Sequence, residues 1–361
     1  MKLRGVRDLL GEEEALKLDA APSVAGNRHP AWHPVFRPEH RAADQLANQA
    51  VCLVGDAGGT EWLHSLRPRL IRLDDPEEAA AALAELRVYG GLLRAGFEVS
   101  PVPRRGDSTP DFVADAGDGP VVVEVFAKHQ DEDQKELLED LERGKGRSDI
   151  ERSTTKLQHA TMTTATTVLQ PGGAPDADKP NDSTQANLIS RLCAAKGNEA
   201  QFPTEGPSLL WIDLRNFGPW PEALALEQAT PLISGRDGLT SGALWYAFYG
   251  WRGAPIFEED FFPEDRVVPM GHNGRFRLQG KRKSRLSGTV VTLHEGTILL
   301  ENPWASHKLP PRARRHCERL PWFDLSRSAC DWRPGDALAS VELGRRQIEA
   351  MYEWRSVLSR E

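Results

Sequence analysis

The sequence predicts a mixed α/β protein. A central mixed sheet is flanked by helices and followed by a C-terminal extension that is β-rich and helical. Three observations carry this expectation. A long helical pattern over residues 77–95 precedes three strand-like runs at 97–102, 109–114 and 120–127. A further strand of the fully buried type, Ser208-Leu209-Leu210-Trp211-Ile212-Asp213-Leu214, follows a charged and helical interval. Two β-branched runs, 289–293 and 297–300, then flank His294-Glu295-Gly296, which reads as a hairpin. On this reading the chain divides into a leader region 1–75, a core 76–216 and a C-terminal region 217–361 with basic segments.

The bulk properties narrow the classes. With 361 residues the chain is long enough for one large or two ordinary domains. A net charge of −8 excludes a uniformly basic nucleic-acid coat but leaves room for a local basic channel, since the local field steers a ligand. Cys52, Cys193, Cys317 and Cys330 are widely spaced and form no C-x-x-C pair. Buried free thiols are therefore expected, and neither a zinc site nor a disulfide framework is. Met1-Lys2-Leu3-Arg4-Gly5 leads into Glu12-Glu13-Glu14 without the apolar core of a signal segment. No run approaches the ~20 apolar residues of a membrane span. The expected location is cytoplasmic, with no membrane partner.

Residues 1–45 mix charge with the pairs His29-Pro30 and His33-Pro34 and read as an irregular leader. Residues 49–54 suggest a short strand that turns at Gly55-Asp56-Ala57-Gly58-Gly59. No Gly-Lys-Ser/Thr follows these glycines, so they do not form a phosphate loop. The helix opens at Asp74-Asp75-Pro76, an acid cap followed by proline. At ~100° per residue, Leu83, Leu86 and Leu93 share a stripe, while Arg87 and Arg94 mark the wet side. Glu85 sits among Ala81, Tyr89 and Leu92, where a carboxylate needs either a metal or an arginine partner.

Arg104-Arg105-Gly106-Asp107 turns the chain between the first two strands, and Gly117 to Gly119 turns it into the third. In the third strand Val121, Val123 and Val125 face one way, and Glu124, Phe126 and Lys128 the other. A glutamate in the middle of a valine strand calls for a partner such as a divalent cation. Residues 131–143 read as a solvated helix, 154–170 as a weaker helix carrying Lys156, 171–182 as a loop and 186–195 as a helix. The aromatic segment 242–251 reads as core, with base stacking as the alternative. A helix over 337–358 closes the chain.

The ordered set of Glu85 on a helix, Pro110-Asp111 at a strand start, Glu124 in a valine strand and a lysine just beyond resembles the PD-(D/E)XK nuclease superfamily. The resemblance covers residues 76–216 and implies a restriction-endonuclease-like core. It implies a divalent-metal-dependent nuclease that uses Mg²⁺ or Mn²⁺, on DNA in preference to RNA, in restriction, repair or phage defence. Asp111 and Glu124 would hold the ion, Glu85 would bind a second ion or position a water, and Lys128 would complete the catalytic set. Such an ion lowers the pKa of bound water and stabilises the attacking and leaving oxygens.

The pattern departs at the motif lysine, where this chain has Phe126. Lys128 is the first replacement and Lys156 the second. Arg275, Arg277, Lys281, Arg282, Lys283 and Arg285 are the expected nucleic-acid contacts, with the arginines at 312–315 adding charge. A protein partner or a homo-oligomer is also compatible with the sequence. The alternative is a catalytically inactive nuclease fold serving as a nucleic-acid-binding or assembly module, and the direction of Lys128 discriminates the two. An unrelated enzyme built on His29, His33 or His294 lacks any histidine metal spacing or nucleophile elbow.

Overall fold

The N-terminal region is helical where the sequence suggested an irregular leader. A computed structural model describes residues 3–23, 28–103, 109–130, 132–146, 150–167, 170, 172–176, 178–194, 202–217, 230–235, 238–258, 266–277 and 284–358. Within these, the first helices are α1 (Val6–Leu10), α2 (Glu12–Ala20), α3 (Trp32–Phe36), α4 (Ala42–Asp56) and α5 (Thr60–Leu70). Residues 49–54 lie inside α4 and are not a strand. Leu46, Ala47, Ala50, Val51 and Val54 recur at helical spacing and are all buried.

Next comes α6 (Pro76–Ala95). The side chain of Asp75 accepts from Glu78 N at 3.0 Å, Pro76 fills the first turn, and Gly96 closes the helix in the left-handed region at φ 96°. α6 is covered by α4 and α5 as well as by the sheet. Arg87, expected on a wet side, is therefore buried.

The remaining elements are β1 (Glu98–Pro101), β2 (Phe112–Asp115), β3 (Pro120–Ala127), α7 (Glu132–Glu142), β4 (Glu151–Lys156), β5 (Thr161–Thr166), α8 (Thr184–Cys193) and β6 (Ser208–Asp213). They are followed by β7 (Leu232–Gly235), β8 (Gly238–Ser241), α9 (Ala243–Tyr249), β9 (Pro255–Glu258), β10 (Arg266–Pro269), β11 (Gly288–Thr292), β12 (Thr297–Glu301), α10 (Pro311–Cys317) and α11 (Asp336–Leu358). The segment expected as a weak helix at 154–170 contains part of β4 and all of β5, an exposed hairpin. Its run of threonines favours extended backbone over helix.

Six strands form one mixed sheet in the order β1-β2-β3-β6-β11-β12. β3, β6 and β11 are parallel neighbours, and the outer pairs are antiparallel. The sheet thus joins strands on both sides of residue 216. Period two sends alternate side chains into two cores. Val121 and Val123 join Leu83, Leu86, Tyr89 and Leu92 of α6 on one face. Leu210, Ile212, Val291 and Ile298 join Leu188, Ile189 and Leu192 of α8 and the aromatic residues of α9 on the other. Every residue of β6 is buried, as expected of a central parallel strand.

Trp245, Tyr246, Phe248 and Tyr249 are buried core residues. A separate four-stranded sheet runs β10-β9-β8-β7. Among the described residues no helix is long and apolar enough to cross a membrane.

The close approach of α4 to α6 rests on Gly90, where an added Cβ would lie 2.3 Å from Ala50 Cβ and 2.6 Å from its Cα. Helix propensity alone predicts that Gly90→Ala stabilises by about 1 kcal/mol. The contact predicts instead a net loss of about 2 kcal/mol from overpacking. Urea unfolding reads the sign, and a stabilised variant would contradict the packing.

Candidate functional site

Glu85 and Asp111 line one cavity of about 540 Å³, together with Glu61, Trp62, Ser65 and Arg69. Asp111 stands immediately before β2, and its Oδ2 accepts from Val125 N of β3 at 2.8 Å. Glu85 comes from the middle of α6. Both of its oxygens accept from Arg69 at the end of α5: Nη1 to Oε2 at 2.6 Å and Nη2 to Oε1 at 2.7 Å. The Arg69 Nε donates to Glu78. Glu78 and Glu85 are seven residues apart, about two helical turns, so one guanidinium reaches both. Burial opposes the charge on Arg69, but its bonds to Glu85 and then Glu78 outweigh this and raise its pKa above the ordinary value. A fork-shaped pair of this kind is among the stronger charge-assisted contacts.

Glu124 and Lys128 serve the other side of β3. Glu124 is buried, and its β6 partner Leu210 belongs to the core with α8. Phe126 packs against that same core. Lys128 is buried and directed at the end of α8, where its Nζ donates to Arg191 O and Ala194 O at 2.6 Å each. The ammonium lies 4.4 Å from the Phe126 ring centroid. It therefore caps carbonyls that α8 leaves without intrahelical partners. Burial pushes the Lys128 pKa down to about 7, with the Arg191 and Arg275 cations adding to the shift. Lys156 lies exposed at the end of β4.

These placements decide whether the residues suit a hard divalent cation, which takes several oxygen ligands. Glu85 commits both oxygens to Arg69, Asp111 commits one to the β3 backbone, and Glu124 belongs to the opposite strand parity. Among the described residues no three histidine, cysteine, aspartate or glutamate side chains come together to hold a metal. The set does not fit the ion expected from the sequence.

The basic positions are also engaged within the fold. Arg275 is buried. Arg277 Nε donates to Tyr249 O at 2.6 Å, and its guanidinium lies 4.2 Å from the Trp304 ring. Arg285 Nη1 donates to Phe202 O at 2.9 Å. Arg314 pairs with Glu301 at 2.8 Å. None of these four presents an open guanidinium to a phosphate backbone. Lys281, Arg282 and Lys283 lie outside the described residues.

A second cavity, of about 450 Å³, sits at the carboxyl ends of β3 and β6 and is lined in part by His29, Glu77, His129, Lys135 and Asn216. Ala31 N donates to His29 Nδ1 at 3.3 Å, so Nε2 carries the proton and donates to Arg72 O at 3.1 Å. Both nitrogens are thereby used structurally. Burial lowers the pKa of His29 and of His129.

Sequence reasoning missed Arg69. The signal was the pair Glu78 and Glu85 on one helical face, which asks for a cation between them. Comparison with protein-family models, curated proteins and solved structures finds no match.

Two measurements check these assignments. Removing the Arg69 guanidinium leaves Glu78 and Glu85 together without it, so Arg69→Ala lowers stability by about 3 kcal/mol. A loss below about 1 kcal/mol in urea unfolding would place the pair among ordinary surface contacts. For Lys128 the pKa is about 7 in the fold and ordinary in the unfolded chain. Between the two values the unfolded state binds more protons, so stability rises with pH across that window. From pH 7 to 9 the wild type gains on Lys128→Met by roughly 2 kcal/mol, since one pH unit is worth at most about 1.4 kcal/mol. A pH-independent difference between the two proteins would contradict a neutral buried amine.

Proposed function

We propose that this chain is a nuclease-fold protein that binds without cutting, a nucleic-acid-binding or assembly module on a PD-(D/E)XK-like core. The core reading rests on the order of α6, β1, β2, β3, α8 and β6, with β3 beside a parallel β6. Glu85 and Asp111 stand at the positions the resemblance assigns to the acidic site.

The observation that carries the non-hydrolytic reading is Arg69. Its guanidinium takes both oxygens of Glu85, where a metal-dependent enzyme needs an open carboxylate. An arginine neutralises charge as an ion does, but it neither activates a water nor offers a vacant coordination position. Lys128 gives the same indication, because its amine caps α8 and does not face Glu85 and Asp111.

A second reading, a Mg²⁺- or Mn²⁺-dependent nuclease acting on DNA, is favoured by one observation. Glu85 and Asp111 share a cavity, and a shift of Arg69 would open both to an ion.

The test is incubation of supercoiled plasmid and of single-stranded DNA with Mg²⁺, Mn²⁺ or EDTA. Wild type, Asp111→Ala and Glu124→Ala are compared. The expected result is no cutting above the EDTA control for any of the three. Metal-dependent cutting by wild type that falls by about 100-fold or more in Asp111→Ala would establish the second reading instead. Salt-dependent retention of a short duplex would assign the module to nucleic acid. No retention at low salt would assign it to protein assembly.

A further inference from the structure

Arg87 and Arg215 share one carboxylate. Arg87 projects from α6 on the side away from Glu85, and its Nε donates to Ala43 O in the first turn of α4 at 3.2 Å. Its Nη1 lies 3.6 Å from Asp213 Oδ2. Arg215, just past the end of β6, donates from its backbone N to Asp213 Oδ1 at 2.9 Å, and its Nη1 lies 3.4 Å from Oδ2. The side chains of Arg87, Arg215 and Asp213 are only 8%, 6% and 1% exposed. Yet Arg87 Nη1 and Arg215 Nε and Nη2 have no hydrogen-bond acceptor. A buried donor left without an acceptor costs about 1–3 kcal/mol, more when it is charged.

Other groups converge on the same place. Asp44, buried in the first turn of α4, has an Oδ2 without a hydrogen-bond donor. Arg87, Arg41, His40 and Arg215 all act electrostatically on it. Burial outweighs them and raises its pKa above the ordinary aspartate value. No side chain caps the start of α4, a helix of 15 residues. Asp44 N donates to Arg41 O at 3.0 Å, and the first turn as a whole carries the positive end of the helix dipole. Arg41 and His40 are exposed at its mouth.

On the remaining side, the Trp322 ring lies 5.8 Å from the Arg215 guanidinium, and Trp322 itself holds a left-handed φ of 55°. That conformation is uncommon outside glycine and is found where surrounding structure enforces it. Here the enforcing contacts include Trp322 O, which accepts from Thr297 N at 2.9 Å.

We infer that Arg87, Arg215 and the first turn of α4 bind a phosphate-type oxyanion, with Arg41 at the entrance. A tetrahedral oxyanion supplies several acceptors at once for the Arg87 and Arg215 donors that Asp213 leaves without one. The chemistry is shared by free phosphate and by a terminal phosphoester. The inference does not depend on the proposed function, because no bond is cut at this site.

The test is isothermal titration of the full chain with inorganic phosphate at constant ionic strength, chloride replacing it in the control. A 5′-phosphorylated dinucleotide and its 5′-hydroxyl counterpart then separate the two sources. Saturable binding of one phosphate per chain is expected. It should weaken by roughly tenfold in Arg215→Gln, fall by about threefold in Arg41→Gln and stay unchanged in Arg252→Gln. Arg41 is exposed, so its variant carries the test should Arg215→Gln fail to fold. No saturation by about 20 mM phosphate, or equal affinity in wild type and Arg41→Gln, would overturn the site and leave ordered water as the partner of the donors.

Discussion

Helix α6 is buried without a break over residues 82–92, and much of the charge chemistry in the molecule follows from that. It lies against the sheet and is covered by α4 and α5, so Glu85 and Arg87 are both buried. A buried charge must be matched within the protein or by a bound ion. The two residues are about 160° apart around the helix, so one partner cannot serve both. Glu85 takes Arg69 from α5, and Arg87 takes Asp213 from the end of β6. The demand created by one enclosed helix therefore sets the chemistry at two separated places.

The second constraint is the parity of β3. Its odd-numbered valines fill the core against α6, which sends Glu124, Phe126 and Lys128 toward α8. Lysine is long enough to have turned elsewhere, but the end of α8 presents carbonyls at 2.6 Å and Phe126 supports the amine from beneath. A lysine at residue 126 would face the same core as Phe126. The placement of Phe126 in that core and the turn of Lys128 to the end of α8 are two results of one packing arrangement.

Where pattern is local and periodic, the sequence was legible. Asp75-Pro76 and Gly96 bracket α6, the valine run marks β3, and the 289–300 hairpin and α11 follow their patterns. The N-terminal helices were missed because prolines, histidines and Gly58-Gly59 drew the reading toward loops. The helical spacing of Leu46, Ala50 and Val54 was nonetheless present. Threonines at 163, 164 and 166 belong to a hairpin that makes its own backbone bonds, a preference that side-chain periodicity does not reveal. The site was legible in part: Glu85 and Asp111 do share a cavity. Its counter-charges were not legible, because Arg69, Asp213 and Arg215 come from elements whose meeting with α6 depends on tertiary packing.

The two charge groups on α6 are built in opposite senses. At Glu85 one guanidinium serves two carboxylates, with side-chain exposures of 20% for Arg69 and 28% for Glu78. Water reaches such a place and can solvate what the fold does not pair. At Arg87 two guanidinium groups share one carboxylate where exposure is 8% or less. Water reaches it far less, and a single ordered molecule supplies few acceptors. Solvation thus separates two places that look alike in sequence, each an acid and an arginine near a helix. At the acidic cavity Arg69 and solvent share the carboxylates. The basic group carries an excess of donors in a dry setting, which makes an anion its natural complement.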